Sequence, residues 1–136
     1  MKIVWRIALS YLITALAFLA ADMVWLSTMS ARLYQPALAG HLAAQPDLGA
    51  AAAFYAIYFV GMTVFTVRPW LRDESLGLAA CRAALFGAVA YATYDLTNQA
   101  TLSGWPWQLT VVDIVWGAVA TAIATAATRL GLLALK

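Results

Sequence analysis

The chain has 136 residues, of which 65% are apolar and only 10% charged, and its mean hydropathy is +0.82. That composition lies outside the soluble globular class and inside the membrane class. A formal net charge of +2, with no basic run interleaved with aromatics, excludes nucleic acid as a partner, and a single cysteine, Cys81, excludes a disulfide framework or a CxxC pair.

Residues 1–136 are expected to form one integral membrane domain. Lys2 and Arg6 precede an apolar run, and Ala15-Leu16-Ala17 imitates a signal cleavage site, but the run continues from Ile7 to Leu26. About 20 apolar residues suffice to cross a bilayer core, so 7–26 is the first predicted span. The second covers about 50–67 and is expected to stop at Arg68-Pro69, because proline disfavours helical geometry in the residue before it. The third covers about 76–96, with Ser75 or Asp73 placed to cap it and Arg82 able to snorkel to the headgroups. The fourth covers about 107–127. Short connections make this an all-α, up-down bundle of four transmembrane helices. Gly61, Gly87 and Gly117 are candidates for close helix contact, and Ala and Gly faces leave room for a homodimer.

Orientation follows from the basic residues. With a cytoplasmic N-terminus, Lys2, Arg6, Arg68, Arg72, Arg82, Arg129 and Lys136 fall on the cytoplasmic side and only Arg32 falls outside. That bias predicts both termini inside. The stretch from about Ser27 to Gly49, with Arg32, Tyr34, Pro36, His41, Pro46 and Asp47, is then an external loop. Trp105 and Trp107 suit an interfacial aromatic belt.

Three isolated carboxylates interrupt the apolar runs: Asp22, Asp95 and Asp113. An ionised Asp at a span centre costs about 2.5–3.5 kcal/mol on insertion scales, so each calls for a reason. In this topology all three fall in the outer leaflet, as do Tyr55 and Tyr58, while the inner half reads as Ala, Leu, Val and Gly. Helical spacing puts Tyr91, Asp95 and Asn98 on one face, with Tyr94 four residues from Asn98. Asp-x-Val-Trp occurs twice, as Asp22 to Trp25 and Asp113 to Trp116, and Tyr-Ala-x-Tyr occurs as Tyr55 to Tyr58 and Tyr91 to Tyr94. The echo is mirrored along the chain, as an inverted pairing of spans one with four and two with three would require.

The expected site is therefore an outer-leaflet pocket walled by Asp22, Trp25, Tyr55, Tyr58, Tyr91, Tyr94, Asp95, Asn98, Asp113 and Trp116. Either some of its carboxyls carry a proton, or the cluster holds a cation, for which an organic cation or a divalent metal such as Mg²⁺ would serve. No cofactor is expected, and haem is disfavoured because the only histidine, His41, lies outside the spans.

Asp22-x-x-Trp25-Leu26, Phe54-Tyr55-x-x-Tyr58, Tyr91-Ala-Thr-Tyr-Asp-Leu-Thr-Asn98, Trp105-Pro106 and Asp113-x-x-Trp116-Gly117 resemble the bacterial membrane proteins grouped as domain of unknown function 2177. The resemblance spans nearly the full chain and implies a small multi-pass protein of the bacterial inner membrane. It carries no activity with it.

Three functions fit these residues. The first is binding, or transport, of an amphipathic or cationic small molecule or lipid. The second is intramembrane acid/base chemistry on a lipid-like substrate, with Asp95, Asp22 and Asp113 as catalytic candidates. No GxSxG or HExxH motif is present, so cyclisation or double-bond isomerisation suits the residues better than hydrolysis. The third is a structural or accessory subunit whose polar network sets helix register.

Overall fold

The computed structural model describes residues 3–70 and 75–135. Lys2, Arg72, Asp73 and Lys136, which enter the charge and capping expectations above, lie outside the described residues. Four long helices carry the fold: α1 (Ile3–Met29), α2 (Leu48–Met62), α3 (Leu76–Thr101) and α4 (Trp107–Ala134). No strand occurs among the described residues, and four segments, Val4–Ala37, Leu48–Val67, Leu76–Thr101 and Trp107–Ala134, are long and apolar enough to cross a membrane.

Each span is longer than its sequence pattern suggests, and two of the helices carry a proline that does not end them. The stretch expected to begin an external loop at Ser27 stays helical to Ala37, through a π-helical turn at Ser30–Tyr34 and a short α segment at Gln35–Ala37. Likewise α2 does not stop before Arg68-Pro69 but passes through a π-helical turn at Thr63–Val67 into Arg68–Trp70. In both places the residue before proline donates its N–H to a carbonyl five residues back, Gln35 to Ser30 and Arg68 to Thr63. A wider turn makes room for a ring that clashes with the carbonyl four residues back in an ordinary helix. Pro36 and Pro69 are thereby absorbed rather than ending their helices.

The starts of α2 and α3 are capped. Asp47 accepts from Ala50 N–H at 3.0 Å, and Ser75 accepts from Leu78 N–H at 3.2 Å. The connection from α3 to α4 is tied by Gln99, which donates to the Trp105 carbonyl at 2.9 Å and accepts from the Thr110 hydroxyl at 3.0 Å.

Helix α4 packs most extensively against α3 and next against α1. Between the buried Leu109 and Leu132, its buried face, Thr110, Asp113, Gly117, Ala120, Thr121, Ala124, Thr125 and Thr128, repeats at three and four residues and carries only small and medium side chains. Small residues bring backbones together where no hydrophobic gradient exists between protein and lipid. The closest approach joins α3 to α4: a Cβ on Gly87 would overlap the Gly117 carbonyl, and one on Gly117 would overlap the Tyr91 ring.

The half of the bundle away from the carboxylates is not uniformly apolar. Thr128 and Thr14 share a hydrogen bond of 2.8 Å, Thr125 and Thr66 one of 3.0 Å, and Thr121 and Tyr58 one of 2.7 Å. Pairings of Thr14 with Thr128 and of Asp22 with Trp116 run in opposite directions along α1 and α4, so those helices are antiparallel. Tyr58 with Thr121 and Thr66 with Thr125 run in the same direction, as alternate helices of an up-down bundle must.

Substitution of Gly87 by Ala should destabilise the bundle in detergent by roughly 1–3 kcal/mol through overpacking against backbone. Gly61→Ala should cost less, because its new methyl would meet the far edge of the Phe86 ring, which can rotate away. Thermal denaturation of the two variants side by side checks the order, and equal losses would refute the backbone contact.

Candidate functional site

Asp22 is the point where three helices meet. It lies on the α1 stripe Ser10, Thr14, Phe18, Asp22, four residues apart and buried throughout. Its Oδ2 accepts from the Tyr55 hydroxyl of α2 at 2.5 Å, and its Oδ1 accepts from the Trp116 indole of α4 at 3.1 Å. Both oxygens are thus satisfied by neutral donors.

Asp113 of α4 is held from the opposite direction. The Tyr34 hydroxyl donates to Asp113 Oδ1 and accepts from the Trp25 indole, the latter at 2.9 Å. The second Asp113 oxygen accepts no hydrogen bond among the described residues. Trp25 and Trp116 stack with ring centroids 4.3 Å apart and planes 6° from parallel. The two Asp-x-Val-Trp segments are therefore crossed in space: the α4 indole serves the α1 carboxylate, and the α1 indole serves the α4 carboxylate through Tyr34. The Tyr-Ala-x-Tyr echo has no such counterpart, for Tyr55 bonds Asp22 whereas Asp113 takes its phenol from Tyr34.

Beside this network lies a cavity of about 400 Å³, within the range of small-molecule sites. Its walls are Asp22, Leu26 and Tyr34 from α1 and its extension, and Phe54 and Tyr55 from α2. The other side is formed by Ala90, Tyr91 and Tyr94 from α3, with Asp113 and Trp116 from α4. Six of the ten expected site residues, Asp22, Tyr55, Tyr91, Tyr94, Asp113 and Trp116, line it. Trp25 contributes through the stack and its bond to Tyr34.

The other three stand apart. Tyr58 is buried in the aromatic core, with Phe18 at 5.3 Å and its hydroxyl on Thr121, because α2 turns its inward face there towards α4. Asn98 is partly buried near the end of α3 and does not line the cavity. Asp95 follows Ala79, Ala83, Gly87 and Tyr91 at four-residue steps on the face of α3 that meets α4, so its side chain is 0% exposed and outside the cavity. Neither of its carboxyl oxygens has a hydrogen-bond partner among the described residues.

The three carboxylates therefore do not all line one hollow; Asp22 and Asp113 do, and Asp95 is buried outside its lining. Among the described residues no group of three or more His, Cys, Asp or Glu is arranged to hold a metal ion. A divalent cation held jointly by Asp22, Asp95 and Asp113 does not fit this geometry.

Tyr34 is the site residue that sequence reasoning misses. Its position reads as loop because Pro36 follows two residues later, and only the π-helical turn keeps it on the helix at Asp113. Leu26, Phe54 and Ala90 also line the cavity without being expected there, because an apolar side chain among apolar neighbours carries no signal of its own.

A buried carboxyl without a partner costs on the order of 1–3 kcal/mol. Replacing Asp95 with Leu should therefore raise the melting temperature in detergent, whereas Asp22→Leu, which strands Tyr55 and Trp116, should lower it. A fall for both variants would show that Asp95 is held as firmly as Asp22.

No curated protein and no solved structure matches the chain. Residues 7–130 match the family described as "Predicted membrane protein (DUF2177)". With four membrane-crossing helices and a match over nearly its whole length, the chain belongs to that family.

Proposed function

We propose that the protein binds an amphipathic small molecule or lipid bearing a positively charged head, held against Asp113 and Asp22 in the aromatic cavity. The observation that carries this reading is the pair of buried carboxylates on one cavity of about 400 Å³ whose hydrogen-bond partners among the described residues are phenols and an indole. A carboxylate in a low-dielectric site attracts a cation more strongly than in water, and the faces of Tyr91, Tyr94 and Trp116 add cation–π attraction. Asp113, with one oxygen uncommitted, is the primary anchor, and Asp22 supplies field more than contact.

The bias of Arg6, Arg68 and Arg129 towards one end of the bundle, with Arg32 at the other, supports cytoplasmic termini and a cavity in the outer leaflet of a bacterial inner membrane. The opposite half is filled by the threonine pairs and by Val67, Ala79 and Leu132, which favours binding over passage through the bundle.

A second reading, acid/base chemistry on a lipid-like substrate, draws on the two phenol–carboxylate pairs, Tyr55 with Asp22 and Tyr34 with Asp113. Facing one cavity, they would supply one proton donor and one acceptor. Mass spectrometry of lipid extracts from wild-type, deletion and Tyr34→Phe strains tests it; identical profiles would rule turnover out.

Binding is measured by equilibrium dialysis of benzyltrimethylammonium against protein in nanodiscs, with empty discs subtracted. Asp113→Asn should weaken it at least about tenfold, equivalent to about 1.4 kcal/mol, while Asp95→Asn should change it less than about twofold. Equal losses for the two variants, or none for Asp113→Asn, would overturn the assignment.

A further inference from the structure

We infer that the cavity is entered sideways from the lipid, through a cleft between α2 and α3, and that its occupant is a membrane-dissolved amphiphile whose chain lies in that cleft. The inference rests on the binding reading above and adds the route and the shape of the ligand.

Helices α2 and α3 touch over only part of their length. At the Thr63–Val67 end they are joined by aromatic contacts, Phe65 to Phe86 at 5.9 Å and Tyr58 to Phe86 at 5.6 Å, with Gly61 beneath the same ring. The last of these is Tyr58 to Tyr91 at 6.4 Å. Beyond that level, towards Leu48 and Thr101, the helices separate, and the α-helical part of α2 has little backbone contact with α3 or α4. The cavity occupies this gap.

Its rim carries the second observation. Phe54 on α2 and Tyr94 on α3 line the cavity and yet are 47% and 56% exposed, so they stand at its mouth. Their exposed neighbours along the two helices are Ile57 and Val60 on α2 and Val89 on α3, which belong in hydrocarbon rather than water. On the other side, Tyr34 and its bond to Asp113 lie across the cavity, and Leu33 and Leu38 close down on Trp105 and Leu109 above it.

An occupant must then match three surfaces at once. Carboxylates lie at the inner wall, aromatic faces in the middle and lipid-exposed apolar side chains at the mouth. A cationic head followed by a hydrocarbon chain has that order. A compact hydrophilic cation satisfies the first surface and leaves the mouth open to lipid tails.

The test places a thiol on the cavity wall, Ala90→Cys in a Cys81→Ser background, in vesicles. A lipid-soluble maleimide, N-phenylmaleimide, is compared with a sulfonated, membrane-impermeant maleimide supplied on both sides. Lateral entry predicts labelling by the first at least about tenfold faster than by the second, and a further severalfold gain on Phe54→Ala. Comparable rates for both reagents would overturn the lateral mouth. So would failure of the introduced thiol to react while the exposed Cys81 of the parent protein does.

The occupant is tested by protection of the same Ala90→Cys thiol. Slower labelling with dodecyltrimethylammonium indicates a free amphiphile, and slower labelling in phosphatidylethanolamine than in phosphatidylglycerol vesicles indicates a bilayer lipid. Unchanged rates in both arms would overturn the amphiphile while leaving the mouth intact. Loss of benzyltrimethylammonium binding is read separately, so failure of the cation site and failure of the route are distinguishable.

Discussion

A carboxylate inside a bilayer cannot turn to water, and the hydrogen bonds from Tyr55 and Trp116 to Asp22 answer that constraint by drawing two other helices onto α1. Leaving such a group unsatisfied costs several times what an ordinary hydrogen bond contributes. The same requirement fixes the heights of Tyr55 and Trp116 relative to Asp22, and through the Trp25–Trp116 stack it fixes α1 against α4. The polar network thus acts as a register device and as the wall of a cavity. No choice between those roles is needed, since a site in a membrane protein can be held only by its own helices.

Around that hub the bundle divides into a closed half and an open half. In the closed half α4 presents Gly117, Ala120, Ala124 and the threonines, and helices meet through hydroxyl pairs worth about 0.6–2 kcal/mol each. In the open half the residues facing inward are mostly aromatic. Tyr55, Tyr91, Tyr94 and Trp116 line the space left between the helices there, which is the cavity.

Two prolines shape the edges of this arrangement. Each follows a π-helical turn, and each turn lets a span continue where an α-helix would have stopped. Before Pro69 the turn itself carries Thr66 and Val67, which pack into the closed half. At Pro36 the consequence is the placement of Tyr34 on Asp113. Asp95 shows the opposite case. Its helical face is legible in the sequence, but that face belongs to the tight α3–α4 contact, where the carboxyl is enclosed without a partner.

Composition and hydropathy by themselves determine the class and the number of spans, because apolar runs of bilayer length have few alternatives in a chain so poor in charge. Intrahelical spacing also determines which residues share a face, and so it groups Asp22 with Trp25 and Asp113 with Trp116. What spacing within one helix does not hold is the rotation of that helix against its neighbours. That rotation depends on the Gly87–Gly117 approach and the threonine pairs, and it decides that Asp22 and Asp113 share a cavity while Asp95 does not. The hydrogen-bonding of a π-helical turn is equally invisible in a residue pattern, since it depends on backbone carbonyls common to every residue. Only the folded chain decides that Tyr34 belongs to the site and that the cavity lies open between α2 and α3.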